Sequence, residues 1–216
     1  MNVYRCLALL LCSGAAFCPS GARAGVIGPI VDYTGSADSP ISGMAGYQLT
    51  TFENGGLPAG VTASGGFVVG PGEAVDSVEN IDLGHSFFSD NGAAGIRFSF
   101  SAALPGSLPT AAGLVWTDGD GGNRTFQAYD QNNNLIGTIN DSTGLFYSTG
   151  GDGDGQNYRY FGATNAAGIS SIFISNPSGG IEVDDLQFVV SGTPEPGTMM
   201  LVLGAGIVFA GMRRRS

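Results

Sequence analysis

The sequence predicts an all-β domain, a sandwich of two packed antiparallel sheets. Three observations carry this. Short segments of alternating apolar and polar residues recur at intervals of roughly 10 to 20 residues, the mark of an all-β domain. Gly, Ser, Thr, Asn and Asp dominate between them, and these residues turn a chain through positive φ or local side-chain hydrogen bonds. Long stretches of Ala, Leu and Glu at helical spacing are missing, and the chain has no Lys. With 37 glycines among 216 residues the composition borders on a disordered one, but 13 Phe, seven Tyr and many Ile and Val supply a packed core.

Residues 47–52 and 62–69 are the first candidate strands. Residues 95–101 are the clearest: Ile96, Phe98 and Phe100 point one way, and Arg97, Ser99 and Ser101 the other. That is the pattern of a half-buried antiparallel strand. Residues 112–117, 124–129, 135–139 and 158–161 follow. In 169–174, Ile172 and Ile174 share one face and Phe173 takes the other. Residues 130–134, with three consecutive asparagines, read as a hairpin loop. Nothing supports a parallel βαβ unit, so two packed antiparallel sheets fit best.

The last strand, 181–190, contains an irregularity. Ile181 and Val183 are apolar at odd numbers, whereas Leu186, Phe188 and Val190 are apolar at even numbers. A one-residue phase change flips every side chain to the other face. The simplest repair is a β-bulge at Asp184-Asp185. Two readings of that bulge stay open: it re-aims side chains beside a site, or it is a kink with two solvated acids at a sheet rim.

Both ends of the chain are targeting segments. Met1 to Arg5 make a short n-region, residues 6–18 an apolar h-region, and Ala22-Arg23-Ala24 a small-x-small cleavage site, so the mature chain starts near Gly25. Cys6, Cys12 and Cys18 all lie inside that signal. The mature chain therefore has no disulfide, thiol nucleophile or Cys-ligated metal. At the other end Thr193-Pro194-Glu195-Pro196-Gly197 precedes apolar residues 198–212 and then Arg213-Arg214-Arg215-Ser216. Sixteen residues, 197–212, make roughly 24 Å of helix, short of the ~20 apolar residues of a comfortable span. The arginines would hold the terminus in the cytoplasm. The prolines would keep the preceding segment extended. This tail resembles the PEP-CTERM sorting signal of Gram-negative bacteria that make exopolysaccharide. The resemblance implies an exosortase-type partner, transient inner-membrane insertion, and display at the cell surface or in the matrix. The expected organisation is a signal peptide at 1–24, an acidic β-sandwich at 25–192 and the sorting signal at 193–216.

Other stretches resemble exported PEP-CTERM domains with jelly rolls related to galactose-binding and carbohydrate-binding modules. They are Thr51-Phe52-Glu53, residues 113–120 (GLVWTDGD), residues 125–130 with 134–137, and the last hairpin from Ser170 to Phe188. In such modules a structural Ca²⁺ ties the first strand to the last. The resemblance places Glu53 and Asp184 or Asp185 at those two ends. Calcium takes six to eight oxygens, and an exported domain without disulfides gains stability from a bound ion.

Further acids stand at alternate positions in Asp118-Gly119-Asp120-Gly121 and Asp152-Gly153-Asp154-Gly155. Neither completes an EF-hand loop. The twelfth positions are Tyr129 and Ala163, where a bidentate Glu is needed, and the sixth are Asn123 and Asn157 instead of Gly. Plain Gly-Asp turns are the simpler reading. Trp116 shares parity with Ala112 and Leu114 and should pack inward; it is also the one Trp able to stack on a sugar. Tyr129, Tyr147, Tyr158 and Tyr160 flank polar loops and are candidates for a shallow carbohydrate surface.

Enzymatic signals are poor. His85 is the lone histidine, and no Gly-x-Ser-x-Gly elbow accompanies it. A His/Cys zinc site cannot be built. Between residues 25 and 193, three arginines face 17 acids, a net charge of −14. Such a surface repels nucleic acid and anionic lipid. It leaves divalent cations and neutral polymers as partners. The expected function is non-catalytic: a carbohydrate-binding module with structural calcium, or a structural matrix or adhesion protein without a discrete ligand. A glycoside hydrolase built on paired carboxylates is a third reading.

Overall fold

The computed structural model describes residues 23–71, 77–78, 84–102, 104, 107–119, 123–142 and 158–190. Among these, twelve strands pair antiparallel throughout. They are β1 (Gly25–Ile30), β2 (Tyr47–Thr50), β3 (Val61–Ser64), β4 (Phe67–Val69), β5 (Ser86–Ser89) and β6 (Ile96–Phe100), then β7 (Ala111–Gly119), β8 (Arg124–Asp130), β9 (Leu135–Asp141), β10 (Arg159–Thr164), β11 (Ile169–Ser175) and β12 (Ile181–Val189). One sheet runs β1-β10-β7-β12-β5-β4, with β2 also on β12; the other runs β3-β6-β11-β8-β9. The eight later strands, β5 to β12, fall into the sets β5-β12-β7-β10 and β6-β11-β8-β9, one in each sheet, the jelly-roll order of two interlocked Greek keys. The expected all-β sandwich is therefore present. The sole helix among the described residues is one 3-10 turn, Ser36–Asp38. None of them forms a helix long and apolar enough to cross a membrane. Residues 1–22 of the expected signal peptide and the whole sorting signal lie outside the described residues.

The core forms where the alternating patterns meet. Ile96, Phe98 and Phe100 of β6, with Ile172 and Ile174 of β11, face Leu114, Phe161 and Val183 across the sandwich. Each such side chain contributes about 1.5–3 kcal/mol on burial. Phe87 lies edge-on to Phe98 at 5.0 Å, and Phe126 stacks on Phe161 at 5.9 Å. Trp116 joins this core, as its parity predicts.

Two expectations change. Residues 62–69 are not one strand but two, in different sheets. Gly65 takes φ +88° and a Cβ on Gly66 would strike the Phe88 carbonyl, so this pair lets the chain cross between sheets. Strands β1 and β5 are additional. Gly25–Ile30 has no clean alternation because it is an edge strand with half-buried residues on both faces.

The outer face of the larger sheet is itself covered. Tyr33, Val115, Tyr158 and Tyr160 form a second small core there, and Ile41, Ala111 and Val189 a third. The segment following β1 supplies Tyr33 and Ile41. Tyr160 lies over Gly113 and Gly162, a cross-strand glycine pair where any Cβ would collide with its ring.

Candidate functional site

Strand β12 is buried at every position, polar ones included. Its register against β7 slips between Asp184 and Gln187, and Asp185 adopts φ +46°. This is the predicted bulge. At the same point β12 changes its other partner, from β5 at Ile181–Val183 to β2 at Leu186–Val189. The phase change keeps Ile181, Val183, Leu186 and Phe188 all in the main core. It gathers Glu182, Asp184, Asp185 and Gln187 away from that core.

These polar side chains are not solvated at a rim. Asp184, Asp185 and Gln187 are 0% exposed, so the reading of two solvated acids is corrected. The covering segments supply hydrogen bonds. Tyr33 donates its hydroxyl to Asp185 Oδ2 at 2.9 Å and accepts from Gln187 Nε2 at 2.6 Å. Burial pushes the Tyr33 phenol well above the usual tyrosine range, and the Asp185 charge pushes the same way. The Val78 amide donates to Asp184 Oδ2 at 2.8 Å. The Asp185 amide donates to Asp184 Oδ1 at 2.7 Å. Ser86 donates to Glu182.

Glu53 sits apart, exposed, and accepts from the His85 backbone amide at 2.8 Å, with His85 Nδ1 3.1 Å from its other oxygen. His85 is thus tied to a carboxylate. No three His, Cys, Asp or Glu side chains of the described residues form a metal-sized group. The expected set of Glu53, Asp184 and Asp185 is therefore not such a group by itself. A chain segment links its parts: Val78 binds Asp184, and Gly84 packs on Ser77 and Glu53. Asp118 lies at the exposed end of β7, opposite Glu182. Asp120, Asp152, Asp154, Tyr147, Ala22 and the sorting residues lie outside the described residues, whereas Ala24 and Gly25 of the expected cleavage site are described, Gly25 opening β1.

The sugar platform expected of Trp116, Tyr158 and Tyr160 is corrected. They are 4%, 4% and 0% exposed, so no ring face is open to a ligand. Trp116 is covered by Arg124, whose guanidinium carbon lies 4.3 Å from the ring centre. Arg124 and Arg159 each reach Asp141 Oδ2 at 3.0 Å, closing one end of the sandwich with a buried ion cluster. Burial lowers the Arg124 pKa while Asp141 opposes it.

The outer face of the five-stranded sheet is different in kind. One row across it reads Ser64, Arg97, Phe173, Gln127, Thr138 from β3 to β9. The next reads Thr62, Ser99, Ser171, Tyr129, Leu135. Neither row contains an acid. Arg97 lies between Tyr129 and Phe173, 4.6 and 5.1 Å from the ring centres, and donates to Ser171 Oγ at 2.9 Å. Tyr129 donates to Gln127 Oε1 at 2.8 Å. The sequence reading missed this face as a unit, although the polar halves of three alternating strands announced it.

Fold and terminus together define an exported β-sandwich that is sorted through its C-terminus. Residues 193–215 match the PEP-CTERM protein-sorting motif, which implies processing by exosortase. Comparison with curated proteins found no match. Among solved structures, the K1 cleaved adhesin domain of Lys-gingipain from Porphyromonas gingivalis W83 is similar at a TM-score of 0.45 and 15% identity, covering 68% of this chain and 99% of that one.

Proposed function

We propose that the chain is a non-catalytic display domain of a Gram-negative cell surface or exopolysaccharide matrix, with carbohydrate as its ligand. The carrying observation is the sorting motif at 193–215. The signal is cleaved before Gly25, residues 198–212 anchor the chain transiently, and an exosortase-type enzyme processes the Pro194-Glu195-Pro196 region. Support for a non-catalytic role comes from the described acids of β12, which are enclosed and bonded to covering segments, and from His85, tied to Glu53. The test is cell fractionation with mass analysis of the recovered protein. Wild type should leave the inner membrane without its tail. Replacing Pro194, Glu195 and Pro196 by Ala, or deleting the exosortase, should strand the full-length chain there. Equal release of both forms would end the proposal.

Structural calcium beside β12 belongs to the same reading. The Val78 amide binds Asp184 and the His85 amide binds Glu53. This reading takes its oxygen ligands from Glu53, Asp184 or Asp185 and backbone carbonyls. The full chain in non-ionic detergent should melt several degrees higher in millimolar Ca²⁺ than in EDTA, and Asp184→Asn should abolish the difference. An unchanged melting temperature removes calcium and leaves the purely structural matrix role as the account of the buried acids.

A further inference from the structure

We propose that the outer face of the five-stranded sheet is the binding face for a neutral polysaccharide chain; this rests on the carbohydrate reading above and assigns its site. The first reason is charge. The sequence between 25 and 193 has a net charge of −14. Yet two adjacent cross-strand rows on this face hold no carboxylate and one arginine. Five strands at about 4.8 Å spacing make a face roughly 19 Å across from first strand to last. Charges beyond about 8 Å are largely screened at physiological salt. The centre of the face is therefore a nearly neutral island on an acidic protein. A polyanion crossing it would run into acids at the margins, such as Asp130 at the end of β8. A neutral chain would not.

The second reason is hydrogen-bonding chemistry. Sugar hydroxyls need donors and acceptors held in place, and rigid groups lose little entropy when they bind. Arg97 is such a group. Its stem and guanidinium are held between two rings, and one nitrogen is committed to Ser171. No carboxylate pairs with it among the described residues, and it is only half-buried, so N–H groups of its planar fork are left for a ligand. Arg97 is half-buried and its row neighbours Ser64 and Thr138 are exposed. Gln127 adds an amide whose oxygen is oriented by Tyr129 and whose nitrogen lies 3.5 Å from Thr138 Oγ1. The result is a strip of two hydroxyls, an amide and a guanidinium fork along one row, with the half-buried Phe173 between fork and amide. It fits an extended chain of uncharged sugars lying across the strands.

The test is native affinity electrophoresis of the full chain in a sugar-free non-ionic detergent. Gels contain hydroxyethylcellulose, galactomannan or dextran as neutral probes, and alginate as the anionic one. At least one neutral polymer should retard the protein, and alginate should not. Arg97→Leu keeps the apolar stem against both rings but removes the fork, and should weaken binding at least about tenfold. Ser64→Glu places a carboxylate directly opposite Arg97 at an exposed position, where it should consume the same N–H groups and weaken binding similarly. Ser178→Glu, on an exposed turn elsewhere, should bind as wild type. Circular dichroism and melting curves check that each variant is folded. If Ser64→Glu folds and binds as wild type, the face is wrong while carbohydrate binding survives. If no neutral polymer retards wild type, or alginate does so more strongly, the inference falls. The sorting function is read separately, by processing in cells.

Discussion

Tyr33 shows what a single side chain can hold together. It reaches from the segment after β1 to two buried groups on β12, more than 150 positions away in sequence. Tyr33→Phe should cost about 1–3 kcal/mol in urea unfolding, because Gln187 and Asp185 each lose a buried partner. Its phenol also makes stability pH-dependent. The folded-state pKa of Tyr33 is raised, and burial raises that of Tyr160. A raised pKa means the folded state keeps its proton after the unfolded chain has lost it. The stabilisation is complete below the unfolded value near 10 and declines as pH rises above it, by up to about 1.4 kcal/mol per pH unit for each tyrosine. Unfolding above pH 10 should coincide with tyrosinate absorbance near 295 nm, and Tyr33→Phe should make the decline shallower. Asp141 carries a different burden, since two guanidinium groups share one of its oxygens in a buried cluster. Asp141→Asn should cost about 3–5 kcal/mol, as expected on breaking a buried pair; a loss below 1 kcal/mol would mean water enters the cluster.

At the scale of elements, β12 is the organising strand. Its bulge was legible because the apolar parity of residues 181–190 changes once, and no regular strand can keep both halves in one core. What was not legible is that β12 trades β5 for β2 at that point, and that Tyr33 and Val78 from other segments bind the acids. Asp185 sits in the left-handed region. There a β-branched residue is strained, whereas Asn is tolerated. Asp185→Val should therefore be at least about 1 kcal/mol less stable than Asp185→Asn; equal stabilities would show that the bulge relaxes. The hairpin at 130–134 was readable from its asparagines, and Asp130 organises it by accepting from the Asn132 and Asn134 amides. Strand β1 was missed because an edge strand with two half-buried faces has no strict period. The break at Gly65-Gly66 was missed because two short strands of matching pattern look like one long one.

For the whole molecule, arginine placement has a consequence. The chain has no Lys, and Arg97, Arg124 and Arg159 are the only arginines between residues 25 and 193. Two of them are buried and the third is held between rings. Trypsin should therefore trim the ends, at Arg23 and the Arg213–Arg215 cluster, and spare the sandwich until it unfolds. Mass spectrometry of a limited digest checks this. Early cleavage after Arg124 or Arg159 would reveal local opening at the charged end.

The amino-acid sequence alone determined the all-β class, most strands, the bulge and the sorting terminus. All of these are local: alternation has a period of two, turns use a few residue types, and the tail is read as a continuous string. It also showed that the lone histidine lacks a catalytic motif. Only the tertiary structure decided which polar residues are enclosed and which are offered to a partner. Arg124, Asp141 and Arg159 each stand in phase with core residues, so their parity marked them as inward, but their meeting depends on β7, β8, β9 and β10 coming together at one end. Trp116, Tyr158 and Tyr160 were reasonable sugar platforms until neighbouring segments covered them. Arg97, Phe173 and Tyr129 become one surface because strands distant in sequence are adjacent in the sheet. Burial depends on what packs above a residue, and that information is spread over the whole chain.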